Sequence, residues 1–276
     1  MAKSPAAHLS FSSPLPLPAT QPAPAPHLLV FGGNGFVGSR VCERALASGL
    51  GVVSVSRSGA PPTRAGGGGP GAPAAPPAWA ADVEWLAADA ADTAAWAGAL
   101  DGCVGVVSTL GAFGSNAHMR AVCGDANVAV FEAAAAAGVP RATFISVHPF
   151  GFPAFVLPGY FQGKAAAEEA LFRLFPTGGV ALRPGFIHGT RHVGGAGLGL
   201  PLSAVGAPLE AALGALGPAA GKALASIPLA GAAFVPPVSV DAVARAAVAA
   251  ATDPAVPGGP MSVWEIRDRY GGGGGV

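Results

Sequence analysis

The chain has 276 residues and no net charge, with 15 Lys+Arg against 15 Asp+Glu, and only 11% of its residues are charged, against roughly 25% in an average soluble domain. That length suits one α/β domain with a sizeable core, or a domain plus a small subdomain. The charge balance advertises no face for nucleic acid, and no run of about 20 strongly apolar residues reads as a membrane span.

Cys42, Cys103 and Cys123 are an odd set with no C-x-x-C spacing, so neither a disulfide framework nor a zinc site is expected. His188 and His192 stand four apart with no carboxylate close in sequence, so no metal site is expected there either.

Residues 1–26 contain no acid, are rich in Ala, Ser and Pro, and carry prolines from Pro14 to Pro26 that forbid helix. They read as a disordered leader, either a transit peptide or a tail with no address. Lys3 is its only Lys or Arg, unlike the Arg-rich mitochondrial form.

From His27 the pattern becomes regular. "HLLVFGG" is a strand, "FVGSRVCERALASG" a helix ended by Gly49, and "GVVSVSR" a second strand. Residues 60–81 read as a flexible Gly/Pro insertion with nothing for the core. "VEWLAAD" is a third strand, "ADTAAWAGAL" a helix, and "CVGVVSTLG" a fourth strand. "NAHMRAVCGDANVAVFEAAAAAG" is a long helical stretch closed by Gly138, and "RATFISVH" a fifth strand. "YFQGKAAAEEALFRLF" is a helix and "GVALRPGFI" a sixth strand. This alternation predicts an α/β fold with a doubly wound parallel sheet across residues 27–190. Residues 191–270 form an apolar C-terminal region for substrate or interaction, with a helix in "SVDAVARAAVAAA" and a last strand in "MSVWEI". A loose tail, 271–276, follows.

The loop between the first strand and helix, Gly32 to Gly38, has G-x-x-G-x-x-G spacing. Gly32 permits the tight turn, Gly35 lets backbone approach a pyrophosphate, and Gly38 lets the helix pack closely. Asn34, Phe36 and Val37 complete the loop, and the amides at the helix start face the phosphates. The second strand ends in Ser56-Arg57-Ser58, with no acid to hold a ribose 2′-hydroxyl. A guanidinium there suits a 2′-phosphate, so NADP(H) is favoured over NAD(H).

Tyr160 and Lys164 share a helix face, and Ser146 ends the strand before them. A lysine cation one turn away is expected to lower the phenol pKa. Tyr160 would then protonate a carbonyl oxygen that Ser146 also bonds.

These residues resemble a family. "GGNGFVG", "AAD" ending at Asp89, "FISVH", "YFQGK" and "ALRPGFIHG" look like an extended or atypical short-chain dehydrogenase/reductase. "RHVGG", "LPLSAVGAPLE" and "IPLAGAAFVPPVSVDAVARAAV" are similar to the branch with the nucleotide-binding accessory subunit of respiratory complex I and its coenzyme Q-associated relative. The resemblance implies an NAD(P)-binding Rossmann fold. It puts Asp89 and Leu110 beside the adenine and Lys164 on the nicotinamide ribose. It also implies a mitochondrial location, with a plastid as the alternative. Phe31 and Ala88 depart from the family pattern, which has a small residue or Thr before the glycines and Gly before the Asp.

Two functions follow. One is an NADPH-dependent reductase of a lipophilic carbonyl or quinone-like substrate linked to ubiquinone metabolism. The other is a non-catalytic cofactor-binding accessory protein of a membrane-associated complex. A nucleotide-sugar epimerase is a third reading, but the apolar C-terminal region offers few polar groups for such a substrate. In that region Leu209, Leu213, Leu216, Leu224 and Ile227 recur near the helical period, with Gly217-Pro218 breaking the segment in two. The segment is expected either to lie on a membrane or partner protein, or to cap this chain's own substrate pocket.

Overall fold

The computed structural model describes residues 25–63, 75–150, 155–193, 198–215, 217–227 and 231–272. Most of the expected leader, much of the Gly/Pro insertion, Leu216 and the last four residues lie outside these.

The strands are β1 (His27–Phe31), β2 (Gly51–Ser56), β3 (Val83–Ala87), β4 (Cys103–Ser108), β5 (Ala142–Ile145) and β6 (Gly179–Arg183). Then come β7 (Ile187–His188), β8 (Thr190–Val193), β9 (Leu198–Pro201), β10 (Val238–Ser239) and β11 (Gly259–Ser262). Seven of them form one sheet in the order β11-β6-β5-β4-β1-β2-β3, every pair parallel. Such strands are buried on both faces and so read as near-continuous apolar runs. In β1, Leu28 and Val30 enter one buried cluster while Leu29 and Phe31 enter the other, the period of two that the pleat dictates.

The helices are α1 (Phe36–Ala47), α2 (Asn116–Arg120), α3 (Ala126–Ala136), α4 (Pro158–Leu174), α5 (Ser203–Gly214), α6 (Gly217–Ala225), α7 (Val240–Thr252) and α8 (Val263–Tyr270). The expected stretch from Asn116 is continuous, but a π-helical turn, Ala121–Asp125, joins α2 to α3. Asn127 holds that widened turn: its Nδ2 donates to the Val122 and Cys123 carbonyls at 3.0 and 3.1 Å, and its Oδ1 accepts from Ser108 at 2.5 Å.

Three expectations are corrected. "ADTAAWAGAL" forms two short 3₁₀ turns, Thr93–Ala95 and Ala97–Leu100, because Trp96 is pulled into the core, where its Nε1 donates to the Ala90 carbonyl. "MSVWEI" is half strand and half helix: Ser262 and Glu265 form a capping box that ends β11 and starts α8. The end of the Gly/Pro insertion is not idle, since Ala78–Asp82 is a 3₁₀ turn with Ala80 buried and its carbonyl accepting from Trp85 Nε1.

The chain winds outward from β1 through β2 to β3, then returns to β4 on the other side and continues through β5 and β6 to β11. The switch point therefore lies between β1 and β4, where ligands of doubly wound sheets bind.

Candidate functional site

The glycine loop is a cradle made of backbone. Gly32 has φ +82°, and a Cβ there would lie 2.7 Å from Thr109 Oγ1. A Cβ on Gly38 would lie 2.1 Å from the Gly32 carbonyl oxygen, so the first turn of α1 sits against the strand end only because both residues are glycine. Gly35 is the N-cap of α1, with no side-chain cap and no acid in the first turn. The helix therefore starts with bare amides and the positive end of its dipole.

These amides face a cavity of about 540 Å³ lined by Gly32, Asn34, Gly35, Phe36 and Val37, by Ser56, Arg57 and Ser58, and by Asp89, Leu110 and His118. Gly38 lies behind the loop and supports it. Asn34 Nδ2 donates to Ser58 Oγ at 3.0 Å, tying the loop to the end of β2. Arg57 is exposed and makes no ion pair or side-chain hydrogen bond among the described residues. Asp89 turns one oxygen to the Ala91 amide at 2.9 Å. Uncapped amides, glycines that exclude any Cβ and a free guanidinium at the rim fit a dinucleotide phosphate chain.

A second cavity, about 200 Å³, adjoins the first: Thr109, Gly111 and Ala112 line both. It brings together Ser146, Tyr160 and Lys164. Ser146 follows β5 and is buried, with no hydrogen-bond partner for its Oγ. Tyr160 is near the start of α4. Leu157 precedes that helix with φ +48°, the one positive φ outside glycine among the described residues, and Pro158 follows at N1. The Leu157 carbonyl accepts from the Tyr160 amide at 3.0 Å. One turn beyond Lys164, Glu168 accepts from Arg183 Nε at 3.0 Å, fixing α4 to the end of β6.

Lys164 does not act on Tyr160 as expected. Its Nζ donates to the Leu110 and Ile145 carbonyls at 3.1 and 2.6 Å and stands over the Phe144 ring at 4.3 Å. Burial pulls its pKa down to about 8. The Tyr160 phenol goes the other way: burial, then the nearby Cys123 thiol, push it up to about 12. Lys164 Nζ stands 5.9 Å from the Tyr160 ring centroid, and desolvation of the phenol is the larger effect.

The comparisons agree with this geometry. A family model described as NAD(P)H-binding matches residues 32–186. A chloroplastic protein of Arabidopsis thaliana, itself uncharacterized, is 39% identical over 245 residues, covering 88% of this chain and 77% of that protein. The chain belongs to this NAD(P)H-binding family. MIOREX complex component 2 of Saccharomyces cerevisiae is 38% identical over 95 residues, covering 34% of this chain and 32% of that protein. Two solved structures share the fold. The Bordetella bronchiseptica enzyme WbmG in complex with NAD has a TM-score of 0.54 at 19% identity, over 90% of this chain and 74% of that one. A short-chain dehydrogenase/reductase oxidoreductase from Burkholderia thailandensis has a TM-score of 0.54 at 18% identity, over 87% and 91%.

Several residues of the two cavities carry little signal in the sequence. Gly33 is as constrained as its neighbours, since a Cβ there would lie 2.2 Å from Ser54 Oγ. The G-G pair was the signal. Thr109 locks the loop by donating to the Phe31 carbonyl at 2.8 Å. Phe113 and His118, each lining one of the cavities, carry no local sequence signal.

The C-terminal segment is two helices as expected, but its leucines do not share one exposed face. Leu209 and Ile227 are exposed, while Leu213 and Leu224 are half-buried. Glu210 is directed inward: His188 Nε2 donates to it at 2.5 Å and Arg267 Nε at 3.2 Å, fastening α5 to β7 and α8. Gly206 allows that approach, because a Cβ there would lie 2.2 Å from His188 Cβ. Among the described residues no helix is long and apolar enough to cross a membrane.

Proposed function

We propose that the chain is an NADPH-dependent reductase of a lipophilic carbonyl or quinone-like compound. The carrying observation is the cavity that joins Ser146, Tyr160 and Lys164 and adjoins the cofactor cradle. The reduced dinucleotide, when bound, supplies a hydride. Tyr160 holds its proton at neutral pH and delivers it to the carbonyl oxygen, which Ser146 Oγ also bonds. Lys164 has one N–H beyond the two it spends on carbonyls, and we assign that one to the nicotinamide ribose.

The cavity walls support the substrate class. Of its described lining residues, Ala112, Phe113, Val147, Pro184 and Ile187 are apolar. Arg57, with no partner among the described residues, supports NADPH over NADH. An organelle, mitochondrion or plastid, goes with this reading, and the Arabidopsis relative is chloroplastic. The link to ubiquinone metabolism rests on the resemblance of the C-terminal segments.

The second reading, a non-catalytic accessory protein of a membrane-associated complex, is favoured by the likeness to a MIOREX complex component. It would use the exposed face of α5, where Val205 and Leu209 stand among alanines, against a membrane or partner protein. Titrating the full chain with NADPH and NADH, then screening quinones and aliphatic ketones for NADPH oxidation, separates the readings. Tight NADPH binding with no turnover across the screen, together with cosedimentation with anionic liposomes, selects the accessory role. Turnover selects the reductase.

A further inference from the structure

We infer that Phe113 is a positioning residue for Tyr160: its ring fixes the plane of the phenol and takes one face of it out of water. This rests on the reductase reading and names what holds its proton donor.

A single exposed phenylalanine is ordinary on a protein surface. Phe113 differs in how it is held and in what it covers. It is 72% exposed, yet its ring lies nearly parallel to the Tyr160 ring, with 13° between planes and 5.1 Å between centroids. That is within the stacking range of aromatic pairs. The backbone that presents it is anchored on both sides. Before it, Cys123 Sγ donates to the Ala112 carbonyl and accepts from the Ala112 amide, each at 3.5 Å. After it, Ser115 caps α2 by accepting from the His118 amide at 3.2 Å.

Helix α4 places the Tyr160 backbone, but the ring can still turn about its side-chain bonds. Among the described residues its hydroxyl makes no hydrogen bond, so ring contacts set the plane. Phe161, the next residue of the same helix, meets the ring edge-on, at 90° and 5.4 Å. Phe113 lies flat on it and comes from another element, so it ties the phenol to the loop after β4. The titratable groups nearest the phenol are the Cys123 thiol and the Lys164 ammonium, and a substitution at 113 removes neither. Burial is the larger cause of the raised phenol pKa, and the Phe113 ring is one of the surfaces that bury it.

Tyr160 and Tyr270 are the only tyrosines, so in a Tyr270→Phe background the ultraviolet absorbance of phenolate reports Tyr160 alone. The full chain with that change is titrated upward from about pH 9, using points at which circular dichroism shows the fold intact. Phe113→Ala should lower the midpoint by about one pH unit, a part of the roughly 3–5 units that full burial can produce. Phe113→Trp should restore it. If the alanine variant unfolds before its midpoint, Phe113→Leu gives the same reading with a smaller fall. A midpoint that neither removal lowers overturns the inference, and so does one that Phe113→Trp leaves low. Turnover is read separately, on any ketone or quinone that the protein reduces. There Phe113→Ala should lower kcat roughly two- to tenfold, the share of one aromatic pair. KM for NADPH should stay put, because Phe113 lines the substrate cavity and not the cofactor cavity. A lowered midpoint with unchanged kcat overturns the positioning role. A lowered midpoint with no turnover of any compound by wild type upholds the shielding of Tyr160 and overturns the reductase reading.

Discussion

The two ends of the cleft are built from different material. The cofactor end is backbone: Gly32, Gly33 and Gly38 leave no room for a Cβ, and the nearest obstacles include main-chain carbonyl oxygen. The substrate end is side chain: Ser146 follows β5, Tyr160 and Lys164 come from α4, and Phe113 comes from the loop after β4. A backbone site is specified within a dozen consecutive residues and tolerates almost no change. A side-chain site is assembled by the fold from distant segments, and single changes there should alter chemistry without disturbing the cradle.

The largest expected effect breaks that symmetry. Tyr160→Phe removes one hydroxyl and keeps the ring that stacks on Phe113. Turnover should fall by about two to four orders of magnitude, the usual share of general acid catalysis, while NADPH affinity stays within about twofold. A Phe variant with normal turnover would remove Tyr160 from the chemistry.

Next come two glycine substitutions, one at each kind of position. Gly38→Ala drives a methyl to 2.1 Å from the Gly32 carbonyl oxygen, and the backbone has nowhere to retreat. It should cost about 3 kcal/mol and abolish cofactor binding, seen as a lower melting temperature and a flat titration. Gly217→Ala, at the first residue of α6, meets nothing within 4 Å and suffers only its φ of +74°. It should cost about 1 kcal/mol and leave cofactor affinity alone. Normal NADPH binding by Gly38→Ala would show that the cradle is softer than its geometry states.

The same division explains what could be read beforehand. The parallel sheet, the glycine loop and the trio Ser146, Tyr160 and Lys164 were legible because each has a local pattern: apolar runs, glycine spacing, a strand end, a one-turn repeat. The failures share a cause in tertiary contacts. Trp96 breaks a helical pattern because the core takes its ring. Ser262 with Glu265 converts a strand-like run into a helix start. Glu210 has no partner close in sequence, and His188 and Arg267 turn it inward. Proximity of Lys164 to Tyr160 in sequence said nothing about which carbonyls its ammonium would meet.

A smaller effect sharpens the cofactor end. Arg57→Ala removes a charge-assisted bond to a 2′-phosphate, about 1.5–3 kcal/mol, or roughly ten- to a hundredfold in affinity. NADPH should then bind about as NADH does, with NADH unchanged. Equal affinities in the unaltered protein would reject the NADP preference.

The smallest effect lies where the two ends meet, at Lys164. Its folded pKa is about 8 against an ordinary 10.5, because burial disfavours the ammonium. Between those values the unfolded chain holds a proton that the folded chain has shed, so stability rises with pH across that window. Below about 8 the full penalty of a buried cation is present. Cys42 opposes this only from about pH 9, since its folded thiol is raised to about 12 and it loses stability as pH climbs through that range. From pH 7 to 9 the lysine should therefore contribute a gain of about 1 kcal/mol, or a few degrees in melting temperature. Lys164→Met also leaves the Leu110 and Ile145 carbonyls without their donor, so its absolute stability is not the readout. The slope is: the wild-type melting temperature should climb relative to Lys164→Met as pH goes from 7 to 9. Parallel curves would mean that Lys164 keeps its proton in the folded state, and the cavity would then hold a permanent cation beside Ser146.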